Sequence, residues 1–163
     1  MSKLNIEELP QDYIESIKDY TVHIKDLETI LKNSEDGILI VPRLRQGEFC
    51  FASETIDFVK VSKKTFDNIN VLHNEGEDIK VISLHSIDIW LPNLIVTSVI
   101  LPTVIGLLVN YVSSKIFDKK EKSNVDFKMI VKDGKKQKEI SYNGDSETFI
   151  KLMEQLKEDE EHK

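Results

Sequence analysis

The chain holds one cysteine, Cys50, and only four prolines and six scattered glycines among its 163 residues. A lone thiol excludes an internal disulfide and fits a reducing compartment. The glycines build no GxxxxGK[ST] phosphate loop, and no serine sits in a GxSxG elbow. HExxH, HxxxH and CxxC spacings are missing as well, so His23, His73, His85 and His162 read as ordinary surface or strand-end histidines. A basic excess is lacking: 22 Lys and Arg face 29 Asp and Glu, a net charge of −7. That balance opposes general nucleic-acid binding, which needs a cationic face to displace counterions. The opening, MSKLNIEELPQDY, has neither the basic start nor the apolar centre of a secretory signal, and no lipidation motif stands at either end. Expected are no catalytic residues, no metal, no cofactor, no small-molecule substrate and no nucleic-acid partner.

What is present is one long uncharged run. From Leu91 to Ser114 (LPNLIVTSVILPTVIGLLVNYVSS) there is no Asp, Glu, Lys or Arg, in a chain that is 31% charged. A bilayer core takes roughly 20 mostly apolar residues to cross, and this run is long enough and apolar enough to qualify. Read as one apolar helix over 89–117, it has Trp90 and Tyr111 near its ends as interfacial aromatics, with Lys115, Lys119 and Lys120 beyond to meet anionic headgroups. Pro102 falls mid-run as a kink. Thr103, Gly106 and Asn110 share a face suited to helix–helix contact. The lysine-rich C-terminal flank argues for a cytosolic C-terminus, while residues 1–88 carry no export signal. Either the helix meets a membrane, or it is buried in a protein complex, where an all-round apolar helix is equally at home.

The flanking regions read as mixed α and β. Residues 1–88 suggest a small α/β segment. Pro10 opens a helix with Ile17, Ile24 and Leu31 on an a/d stripe, ending near Asn33. Gly37 to Pro42 is a buried strand, and Glu48 to Ala52 returns beside it as a hairpin. Cys50, between Phe49 and Phe51, is expected to be a small buried hydrophobe. Ser53 caps a helix whose shared face is Ile56, Val59, Lys63 and Phe66. Glu54 and Asp57 share one turn of it, and Arg43, Arg45, Lys63 and Lys64 are candidates for an anion site. Short strands follow near 70–73 and 78–84. In residues 118–163, Val125 to Val131 alternates with period two, Asp133-Gly134 turns, Glu139 to Tyr142 returns, and Asn143-Gly144 turns again. Ser146 then caps a helix with Phe149, Ile150, Leu152, Met153 and Leu156 on its apolar side, and the tail from Lys157 frays. The expected fold class is α+β: N-terminal α/β segment, central apolar helix, C-terminal β-hairpin plus helix.

Over residues 90 to 157, the apolar stretch, the KIFDKKEK flank, V-x-F-x-M-I-V-x-D-G from Val125 to Gly134, the returning strand and the helix with Phe149 and Leu152 resemble the effector-associated constant components. These are small proteins of bacterial conflict and anti-phage loci. The resemblance implies a non-enzymatic companion that links an effector to a membrane or an assembly. Together these readings give an expected function: a membrane-associated component of a bacterial defence or stress system, acting by partner binding and oligomerisation of its helix in or on the bilayer. Its partners would be an effector or its own copies, together with membrane lipid, at the cytoplasmic side of the inner membrane. The competing expectation is a cytoplasmic scaffold or regulatory subunit with the apolar helix buried in a complex.

Overall fold

A computed structural model describes residues 4–9, 37–45, 48–71, 80–82, 89–117, 123–134 and 136–162. The expected helix over 10–33, together with His73, His85, Lys119 and Lys120, lies outside these.

The uncharged run is where the structure departs most from the sequence reading. It is a strand followed by a helix. Strand β8 spans Asn93–Thr97, a turn takes up residues 98–100, and the helix covers only Leu101–Phe117. At about 1.5 Å per residue such a helix is roughly 26 Å long, short of a bilayer core of about 30 Å. Among the described residues no helix is long and apolar enough to cross a membrane. Asn124–Asp133 then forms β9, parallel to β8, with Leu94 opposite Met129 and Val96 opposite Val131. The uncharged stretch is thus the first strand and the crossover helix of a β–α–β unit. A parallel strand covered on both faces reads as a continuous apolar run, and its crossover helix adds a second one directly after. Pro102 is the second residue of the helix, where its missing N–H breaks no hydrogen bond, and so it kinks nothing.

The remaining described strands, in chain order, are β1 (Asn5–Leu9), β2 (Ile38–Val41), β3 (Arg43–Arg45), β4 (Glu48–Ala52), β5 (Ile69–Val71), β6 (Val81–Ile82), β7 (Ile89–Trp90) and β10 (Lys136–Asp145). The helices are α1 (Thr55–Ser62), α2 (the Leu101–Phe117 helix) and α3 (Ser146–Glu161). The main sheet runs β1-β10-β9-β8-β2-β5, with β7 also paired to β9. A smaller sheet joins β3, β4 and β6. The mixed α+β class stands. Strands from all three sequence regions enter the one main sheet.

Hydrophobic alternation explains the best-matched part. Val125, Phe127, Met129 and Val131 of β9 are buried against α2 and α3, beside Ile140 and Tyr142 of β10. Phe149 of α3 sits edge-on to Phe127, with ring centroids 5.5 Å apart, and tilted against Tyr142 at 5.4 Å. Ile130, off this period, is buried too. It lies on the opposite face in register with Ile95 and then Leu39, both buried, so the centre of the sheet is covered on both sides.

Several local expectations are corrected. Asn5–Leu9, read as polar leader, is an edge strand on β10. Glu48 to Ala52 pairs with Arg43–Arg45, while β2 pairs with β8 and β5. Asn143 and Gly144 continue β10, opposite Asp126 and Val125, and the chain turns only at Asp145. Asp145, not Ser146, caps α3, accepting from the Thr148 N–H at 2.9 Å. The helix persists to Glu161, held by a 3.3 Å ion pair from Lys138 to Glu160, where the sequence suggested fraying. On α1 the buried residues are Thr55, Phe58 and Ser62, and Ile56 is 55% exposed, because the helix rests on α2 through Phe58.

Candidate interaction surface and a polar clamp

Two features of α2 gather the residues singled out from sequence: an inner polar clamp and an outer uncharged face.

The clamp forms where α1 crosses α2. Thr55 to Ser62 gives one turn with Glu54 and Asp57 three residues apart, and α2 brings Tyr111 and Lys115 four residues apart onto one side. The Tyr111 ring is buried, edge-on to Phe58 with centroids 5.6 Å apart, and its hydroxyl donates to Glu54 Oε2. Lys115 Nζ lies 3.0 Å from Asp57 Oδ2 and 3.4 Å from Glu54 Oε2, and 5.4 Å from the centre of the Tyr111 ring. Glu54 stands at the N-cap of α1 but caps nothing with its side chain; its carboxylate is directed to α2.

Burial pushes the Tyr111 hydroxyl well above the ordinary tyrosine range, and the hydrogen bond to Glu54 and the negative charge of Glu54 and Asp57 push the same way. For Lys115, burial acts to lower the pKa, but the hydrogen bond to Asp57 and the attraction of Glu54 outweigh it and the net shift is upward. At neutral pH the tyrosine keeps its proton and the lysine its charge. The arrangement suits joining two helices; a general base or an activated nucleophile needs the opposite shifts.

Neither expected interfacial aromatic faces outward. Trp90 is buried in β7 against Cys50 and Ala52, and Tyr111 is the centre of the clamp. Cys50 is a buried small hydrophobe. Lys115, read as a headgroup ligand, is turned sideways onto two carboxylates. Sequence alone showed Glu54 and Asp57 as a pair but not their partners. The signal was the matching i, i+4 spacing of Tyr111 and Lys115 in a stretch with no other cation.

The outer face holds the other group. Thr103, Asn110 and Ser114 are exposed, and Gly106 is half-buried between them and α3. A Cβ on Gly106 would come within 3.4 Å of Lys157 Nζ. Val99, at the turn entering α2, is 82% exposed, and Phe117, its last residue, is 89% exposed. These are the two most exposed large apolar side chains among the described residues. Pro102, Thr103, Gly106 and Asn110 thus stay together on the side of α2 away from the sheet. Among the described residues no group of His, Cys, Asp and Glu is placed to hold a metal ion. No family model matches the chain, and no curated protein or solved structure matches it either.

Proposed function

We propose that the chain is a non-enzymatic assembly component of a bacterial defence or stress system, which holds a protein partner against the outer face of α2. One observation carries this reading: a helix exposed along its length, in a chain that is 31% charged, presents no charged side chain of its own outward, and carries Val99 and Phe117 bare at its two ends. Surface helices ordinarily spend that face on Lys and Glu. Exposed apolar side chains on an uncharged face mark contact with another macromolecule. The class of system rests on the resemblance over residues 90–157. The clamp supports a non-enzymatic role, since it stabilises helix packing and holds its protons.

A second reading draws on Phe117. An exposed aromatic at a helix end, followed in sequence by Lys119 and Lys120, suits attachment to an anionic bilayer on its cytoplasmic side without crossing it.

The test is the native particle in a host lysate prepared without detergent. The docking reading expects a soluble particle larger than the purified chain at equal concentration, reduced to the size of the purified chain by Asn110→Lys on the exposed face. A particle no larger than the purified chain would remove it. Recovery with membranes, abolished by Phe117→Ser, would favour the bilayer reading.

A further inference from the structure

We infer that the partner on the outer face of α2 is a second copy of this chain, packed antiparallel about a two-fold axis beside residue 108. This rests on the docking reading above and commits it to one occupant.

The argument is self-complementarity. In an antiparallel helix pair centred at residue 108, position i of one copy meets position 216 − i of the other. Val99 then meets Phe117, the two bare apolar side chains covering each other at both ends. Thr103 meets Ser113, short hydroxyl against short hydroxyl. Gly106 meets Asn110. The glycine leaves a gap, and Lys157 Nζ stands at its rim, within 3.4 Å of where a Cβ would be. An Asn110 carboxamide entering that gap brings an acceptor oxygen to the ammonium. A parallel pair would instead stack Phe117 on Phe117 and Asn110 on Asn110, and leave both gaps empty. Small residues at the centre allow close approach of the backbones, and an isologous contact of this kind closes as a dimer.

Charge and area set the strength. Each copy carries −7, but no like charges stand opposite one another within the face. A single helix face roughly 27 Å long buries less than the 1,200–2,000 Å² of a standard interface, so the pair is a reversible one.

Sedimentation equilibrium of the full-length protein is expected to give monomer at about 10 µM and dimer towards about 1 mM, as befits a contact below standard size. Asn110→Lys should weaken the pairing at least tenfold without changing the circular dichroism spectrum. Orientation is read from engineered cysteines, with native Cys50 buried. Mixing Val99→Cys with Phe117→Cys protein under mild oxidation should give the mixed disulfide dimer, with little cross-linking of either variant alone. Cross-linking of Phe117→Cys to itself would overturn the antiparallel arrangement. A monomer at all concentrations would overturn self-pairing altogether. If the host particle still responded to Asn110→Lys in that case, docking would stand with a different occupant.

Discussion

Tyr111 shows how one side chain serves two purposes. Its ring fills the space between α1 and α2, and its hydroxyl satisfies a carboxylate that would otherwise be half-buried without a donor. Tyr111→Phe keeps the ring and removes the donor, so a loss of about 1–2 kcal/mol is expected in urea unfolding at pH 8. Folding raises the pKa of Tyr111 and of Lys115, so the unfolded chain gives up both protons first. Their contribution is therefore complete below pH about 10 and is lost as pH rises beyond it. In Tyr111→Phe the fall in stability between pH 9 and 11 should be shallower than in the parent protein. Gly37 is a second residue with a sharp demand. Its Cβ would lie 2.0 Å from the Asn68 carbonyl oxygen, which accepts from the Ile38 N–H at 3.0 Å. Gly37→Ala must push β2 from that position, with an expected loss of about 1–3 kcal/mol, read as a lowered thermal midpoint.

At the scale of elements, α2 has two unlike sides, and two aspartates placed one residue apart should tell them apart. Val104 is fully buried, and Val104→Asp forces a charge into the core with an expected loss above about 3 kcal/mol, seen as insoluble protein. Thr103 is exposed, and Thr103→Asp should leave the unfolding midpoint within about 0.5 kcal/mol of the parent. The pair also separates folding from docking, because only Thr103→Asp lies on the outer face. How far such elements could be read from sequence depends on how many faces they bury. The β9–β10 hairpin was legible because Val125, Phe127, Met129 and Val131 alternate and Asp133-Gly134 closes the turn, with Gly134 at φ 61°. The strand β8 was not, because Leu94, Ile95 and Val96 are buried on both faces and show no period. With only a short turn between it and α2, strand and helix merged into one apparent span. In the clamp, Glu54 and Asp57 were visible as a turn of α1, but their partners lie 57 and 58 positions away, a separation no local pattern encodes.

For the whole molecule, the main sheet decides what can stand alone. β9 and β10 come from the C-terminal region, β8 from the apolar stretch, and β1, β2 and β5 from the N-terminal 88 residues. Removing residues 1–88 would strip β2 from β8, exposing Ile95 and Leu94 on an unpaired edge. Fragment 89–163 is expected to aggregate, whereas the full chain should unfold in a single transition by both far-ultraviolet and Trp90 signals. Separate transitions by those two probes would show that the regions fold independently.

The order in which β8 acquires its neighbours has a consequence during synthesis. Its β2 partner has already emerged when Asn93–Thr97 leaves the ribosome, but Asn124–Asp133 has not. At roughly 5–20 residues per second, the greasy stretch waits on the order of seconds with its later neighbour still unmade. Throughout that interval it offers translocation machinery the same hydropathy as a genuine anchor. Slowing translation just after Phe117 would lengthen the exposure and divert nascent chains into lipid, so the codons between α2 and β9 bear on where this protein ends up.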